Sequence, residues 1–183
     1  MTLAERMGDK MRLFIAIELC GGIKDALCGV VEELKTAGSQ GRFSRRENLH
    51  LTLAFLGETA PNRLGQVKAA MDAARFEPFT LTLTAPGRFK RVGGDILWYG
   101  ADGGEALAAL RRALTDELVR HGFSPDDKPF RPHLTLARDA INAGRVPESA
   151  RGMSQRVKSV ALMKSERVSG ALVYTKLYES RGI

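Results

Sequence analysis

The sequence predicts an α+β fold in which two pseudo-symmetric lobes of antiparallel sheet, with helices outside, surround a central cleft. Three observations lead there. Seven strand-like runs outnumber three convincing helices, without the strict alternation of a doubly wound fold. A pentapeptide recurs half a chain apart, which points to a duplicated lobe. No stretch rich in Pro, Gly or Ser divides the chain, so residues 11–183 are expected to form one two-lobed domain.

Residues 1–10 carry Glu5 and Asp9 and lack the apolar core of a signal peptide, so a short flexible tail is expected there. Arg12–Leu19 is an apolar run suited to a buried strand. Over Gly22–Ala37 the residues Ile23, Leu27, Val30, Val31 and Leu34 share one helical face, and Gly38 is a plausible stop. Asn48–Leu56 is the next strand. A helix then starts near Pro61, a favoured first-turn residue, and turns Leu64, Val67, Ala70 and Met71 inward.

Phe79–Leu83 alternates Phe and Leu with Thr, the pattern of a half-buried strand, and Ile96–Tyr99 is a short strand after it. Glu105–His121 buries Leu107, Leu110, Leu114 and Leu118 as a helix that stops at Gly122. Phe130–Ala137, Val157–Met163 and Leu172–Leu177 complete the strands. The stretch 139–152 has no clear period, and a short helix is expected within it.

Composition narrows the class without naming a ligand. The chain is 44% hydrophobic and 27% charged, as ordinary globular proteins are. With 28 Lys+Arg against 21 Asp+Glu, the net charge of +7 favours polyanions such as RNA, although a basic surface serves solubility equally well. Cys20 and Cys28 make no disulfide framework or ligand pattern, so both are read as small packing residues in a cytoplasmic protein. No run approaches the ~20 apolar residues of a membrane helix. No heptad or long exposed apolar strand suggests assembly, and a monomer is expected.

The chemistry lies in the repeat. Two of the three histidines open His50-Leu51-Thr52-Leu53-Ala54 and His133-Leu134-Thr135-Leu136-Ala137, offset by 133 − 50 = 83 residues. In a strand, alternate side chains share a face, so each His and Thr point one way and the leucines point into the layer behind. If both strands face one cleft, they supply two imidazoles that exchange protons near neutrality and two hydroxyl donors. That set suits a tetrahedral phosphoryl group. One histidine can deprotonate water while the other protonates the departing oxygen, and the threonines hold the phosphate. No cofactor or metal is called for, since no ligand cluster accompanies the motifs. A lone His-x-Thr in a strand is usually a surface or packing pair. Two five-residue copies in phase are hard to reconcile with that.

At these residues the chain resembles the two-histidine phosphoesterase superfamily, and more narrowly the RNA 2′,3′-cyclic phosphodiesterases first called 2′-5′ RNA ligases. The resemblance runs through Arg12-Leu-Phe-Ile-Ala-Ile-Glu-Leu, Asn48-Leu-His-Leu-Thr-Leu-Ala-Phe-Leu-Gly57 and Phe130-Arg-Pro-His-Leu-Thr-Leu-Ala-Arg138, and through Leu162-Met-Lys-Ser165 with Gly170 and Tyr174. It implies hydrolysis of RNA 2′,3′-cyclic phosphate ends to 2′-phosphomonoesters and reversible 2′-5′ joining, with tRNA halves among the RNA partners. By motif match, His50 protonates the departing 3′ oxygen, His133 activates water, and Thr52 and Thr135 bind phosphate oxygens. Arg138 matches a ligand-contacting position and Phe55 one that stacks on the terminal base. Each lies five residues after its histidine, the wrong parity for a flat strand, so each needs a twist or bulge to face the cleft. Many relatives have a tryptophan where this chain has Phe43.

Smaller signals have plainer readings. Arg42, Arg45 and Arg46, then Lys90 and Arg91, then Arg131, could track an RNA backbone or merely be solvated loops. His121 reads as a helix C-cap, and Asp126-Asp127 as a turn. Gly93-Gly94-Asp95 and Asp102-Gly103-Gly104 read as a hairpin turn or a helix start. The same catalytic four also fit a small substrate, such as ADP-ribose 1″,2″-cyclic phosphate or a 2′-5′ oligoadenylate. A non-catalytic RNA-end-binding module is the other alternative, though plain phosphate binding favours Arg or Lys over two imidazoles.

Overall fold

The first apolar run forms strand β1 (Met11–Glu18), and helix α1 (Gly21–Thr36) follows with its five expected apolar residues buried. In the computed structural model, which describes residues 10–126 and 129–183, the remaining elements are as follows. Strand β2 (Gln40–Phe43) precedes β3 (His50–Thr59) and helix α2 (Leu64–Ala73). The hairpin β4 (Phe79–Phe89) and β5 (Asp95–Asp102) leads to α3 (Gly104–Arg120). Then come β6 (His133–Ile141), β7 (Ser154–Val157), β8 (Ser159–Val168) and β9 (Ala171–Arg181).

The strands make two antiparallel sheets, a four-stranded one in the order β3-β1-β8-β9 and a five-stranded one in the order β2-β6-β5-β4-β7. The predicted α+β class holds. The repeat is architectural as well: β1 and β3 pair antiparallel on either side of α1, as β5 and β6 do on either side of α3, although the first connection also carries β2 into the other sheet. One apolar cluster runs through both sheets and all three helices. The motif leucines Leu51, Leu53, Leu134 and Leu136 lie within it, each contributing roughly 1.5–3 kcal/mol of burial.

Several expectations are corrected. The run Val157–Met163 is two strands: β7 joins β4 while β8 joins β1 and β9, and the chain changes sheets at Lys158. No Gly or Pro marks that change, and Val157 and Val160 are buried on both sides of it. The stretch 139–152 holds no helix among the described residues. Asp139 and Asn142 have φ of 52° and 54°, left-handed conformations that turn the chain sharply. Pro61 opens a 3-10 turn before α2, not the helix itself. Strand β2 was not anticipated because its sequence, Gln-Gly-Arg-Phe, has no apolar alternation; it is an edge strand held by backbone pairing with β6. Cys20 is exposed and only Cys28 is partly buried, so the packing role fails for the first. Residues 1–9 and Asp127 of the acidic pair lie outside the described residues. No helix among the described residues is long and apolar enough to cross a membrane.

Candidate active site

Strands β3 and β6 lie against each other where the two sheets meet. Along each, the first four residues alternate half-buried and buried: His50 and Thr52 against Leu51 and Leu53, His133 and Thr135 against Leu134 and Leu136. The phase then slips. Opposite β1, Thr52 pairs with Ala16 and Ala54 with Ile15, so Leu53 is an extra residue. Opposite β5, Thr135 pairs with Trp98 and Ala137 with Leu97, so Leu136 is the extra one. These bulges fall at the same place in the repeat and make the next residue, Ala54 or Ala137, buried too. Phe55 and Arg138 are thereby returned to the cleft face.

The cleft has a volume of about 1210 Å³ and is lined by His50, Thr52, Phe55, His133, Thr135 and Arg138 together. All six residues singled out from sequence therefore meet in one place. From the arginine cluster before the first motif, Arg42 and Arg45 also line it, whereas Arg46 turns away to Asp25 at 2.6 Å. Lys90, Arg91 and Arg131 do not line it. His121 lies at the end of α3, its Nδ1 donating to the Glu117 carbonyl at 2.8 Å.

Both histidines are held by the same device. His50 Nδ1 donates to the carbonyl of Asn48 at 2.7 Å, and His133 Nδ1 donates to that of Arg131 at 2.6 Å. Each acceptor sits two residues back, so in a neutral ring each bond would leave Nε2 as the unprotonated nitrogen. At His50 that nitrogen accepts the Thr52 hydroxyl proton at 2.9 Å. Aromatic rings fix both imidazoles further. Phe14 and Tyr174 stand 4.8 and 5.2 Å from His50, the second edge-on. Phe89 and Trp98 stand 5.2 and 6.3 Å from His133.

Burial among these neighbours pushes the His50 pKa down to about 4, although the Asn48 carbonyl pulls the other way. The charges of Lys24, Arg138 and His133 depress it further. The free protein therefore holds His50 neutral at physiological pH. The Tyr174 hydroxyl is pushed up by burial and drawn back by Arg138 and Arg12. Among the described residues no three His, Cys, Asp or Glu side chains gather as metal ligands.

Sequence reasoning missed the aromatic supports and the part played by β1. Arg12-Leu-Phe-Ile-Ala-Ile reads as apolar on both faces, yet Leu13, Ile15 and Ile17 join the main core while Phe14 and Ala16 join a small second cluster with Ala161 and Met163. Arg12 and Phe14 line the cleft. Only the arginine heading the run signalled that one face is open.

Two antiparallel sheets, each presenting a His-x-Thr strand to a shared cleft, give an α+β protein with a paired motif site. The chain belongs to the 2′-5′ RNA ligase superfamily, whose family model matches residues 23–168. Among curated relatives, the RNA 2′,3′-cyclic phosphodiesterase of Escherichia coli is 32% identical, with 93% of this chain and 96% of that protein covered. The protein of the same name from Thermus thermophilus is 36% identical, covering 91% and 88%. The crystal structure of E. coli LigT in apo form superposes with a TM-score of 0.82 at 31% identity, covering 95% of this chain and 98% of that one.

Proposed function

We propose that the chain is an RNA 2′,3′-cyclic phosphodiesterase working by metal-independent, two-histidine acid-base catalysis. The observation that carries this reading is the matched pair of His-x-Thr strands on one cleft, each imidazole anchored at Nδ1 with Nε2 left for chemistry. The names of the relatives support the same activity. His133 Nε2 takes a proton from water, whose oxygen attacks phosphorus. The bond from phosphorus to the 3′ oxygen breaks, and that oxygen takes its proton from His50, leaving a 2′-phosphomonoester and a free 3′ hydroxyl. Thr52 and Thr135 hold the non-bridging oxygens as charge builds on them. If an RNA 5′ hydroxyl replaces water, the same steps join two strands 2′-5′, and the reverse cleaves them.

For His50 to act as the acid it must first gain a proton that its burial disfavours. An anionic phosphodiester supplies the reason. Its charge offsets that of Arg138, one of the groups that depress the ring, and so favours the imidazolium when substrate is bound. Turnover of a nucleoside 2′,3′-cyclic phosphate in excess EDTA, with the product isomer identified, tests the function. The 2′-monophosphate is expected. Activity that EDTA abolishes and a divalent ion restores would overturn the metal-independent mechanism, and a 3′-monophosphate product would overturn the assigned bond cleavage.

A further inference from the structure

The cleft extends well beyond the reacting groups. Along the cleft face of β1, Ala16 lies opposite Thr52, Phe14 opposite Phe55, and Arg12 opposite Glu58. At about 3.3 Å per residue, the Arg12 row lies roughly 13 Å from the Thr52 row, with the Phe14–Phe55 row between them. Arg12 lines the cleft, is exposed, and forms no ion pair among the described residues, even though Glu58 faces it across the strands. Its charge is felt at the Tyr174 hydroxyl, so it bears on the wall formed by Tyr174 and Phe14, whose rings are 4.9 Å apart. Nearby Lys164 is already engaged with Glu166 at 3.0 Å, whereas Arg12 has no carboxylate partner among the described residues.

Resting on the proposed function, we infer that Arg12 forms a second phosphate subsite, which takes the internucleotide phosphate on the 5′ side of the terminal nucleoside. The cyclic phosphate occupies the Thr52–Thr135 row, the terminal base lies on Phe55 one row along, and the next phosphate falls toward the guanidinium that reaches back from the row beyond. A cyclic mononucleotide carries no such phosphate. The subsite therefore makes the protein read chain length: it selects an oligonucleotide end over a free cyclic nucleotide. An arginine suits this place because its planar fork engages phosphate oxygens in pairs.

The test compares kcat/KM for uridine 2′,3′-cyclic phosphate with that for a dinucleotide bearing the same cyclic end, in the wild-type protein, Arg12→Ala and Arg12→Lys. The wild type is expected to favour the dinucleotide, and Arg12→Ala to lower that preference by about tenfold, the scale of one charge-assisted hydrogen bond. Arg12→Lys should keep part of it. The salt slope of log kcat/KM for the dinucleotide should flatten by about 0.7 in Arg12→Ala, as for one lost phosphate contact on a single strand. An unchanged preference in Arg12→Ala, including an equal loss on both substrates, overturns the subsite. A wild-type protein that turns over neither substrate overturns the function instead; dinucleotide 2′-phosphate binding then decides the subsite by the same salt slope.

Discussion

Phe55 and Arg138 occupy one and the same position in the two halves of the protein, 138 − 55 = 83 residues apart, each delivered to the cleft by a bulge at the preceding leucine pair position, Leu53 or Leu136. The halves share the His-x-Thr motif but differ here, with an aromatic ring on one side of the cleft and a guanidinium on the other. The cleft thus repeats its motif but not its chemistry. Alanine at Phe55 should raise KM by the roughly 1–3 kcal/mol typical of one base stacked on a ring. Alanine at Arg138 should act on substrates with any base. Steady-state kinetics with uridine and adenosine cyclic phosphates would separate the two: Phe55→Ala should change the base preference and Arg138→Ala should not.

His50→Ala and His133→Ala should each lower kcat/KM by about 10²–10⁴-fold, the usual scale for one positioned proton carrier. The double variant should lose far less than the product of the two, since a half-assembled acid-base pair has already lost its function. A nitrophenyl phosphodiester, whose leaving group needs little protonation, should rescue His50→Ala more than His133→Ala. Equal rescue would remove the division of roles.

The His50 ring should titrate near pH 4 in the free protein and at a higher pH with a nucleoside 2′-monophosphate bound, because the anion offsets neighbouring positive charge. An NMR titration of the ring Cε1–H with and without that product reads this directly. A bound value no higher than the free one would contradict His50 as the acid.

The same depression makes His50 a pH-dependent element of stability. A histidine whose folded pKa lies below its ordinary 6.5 favours the folded state above pH 6.5, and the contribution is lost as pH falls toward about 4. At about 1.4 kcal/mol per unit the fall from 6.5 to about 4 bounds the loss at about 3.5 kcal/mol, and it is less because the half-buried ring still meets solvent. Urea unfolding at pH 7 and pH 4.5 should show the wild type losing more stability than His50→Asn over that interval. Identical losses would discount the burial of the ring.

Gly87 should not tolerate a side chain. It lies directly opposite Trp98, and a Cβ there would stand 2.4 Å from the indole ring. Trp98 in turn lies opposite Thr135. Gly87→Ala should cost about 1–3 kcal/mol by overpacking and move the indole against the second motif. Because the chain has one tryptophan, its fluorescence reports that movement without ambiguity. An unshifted emission spectrum with wild-type stability would show the ring to be freer than its contacts indicate.

The candidate site residues were legible because a five-residue repeat with polar positions in phase has few alternatives. The three helices were legible from their 3.6-residue stripes. What stayed hidden depends on distant neighbours. Nothing in Val157–Met163 says that the chain leaves one sheet for the other at Lys158, since both sheets want the same β-branched and aliphatic residues. The bulges at Leu53 and Leu136 could be inferred only from wanting Phe55 and Arg138 in the cleft, because neither sequence carries a glycine there. The aromatic pair around His50 comes from β1 and β9, more than 150 residues apart, as Phe14 and Tyr174 show. No local pattern encodes such a meeting.

The strand order β3-β1-β8-β9 also sets a timetable for the chain as it is made. Both motifs have been synthesised once residue 137 is complete, but β1 still lacks the neighbour that covers its second edge. That neighbour is β8, which begins at Ser159, and Tyr174 arrives later still. Until then a strand rich in Leu, Phe and Ile presents open backbone groups, the situation that slows folding and invites mispairing. A nascent chain stalled before Ser159 would carry both histidines and yet leave the first of them without the enclosure that tunes it, so competence arrives only with the closing hairpin.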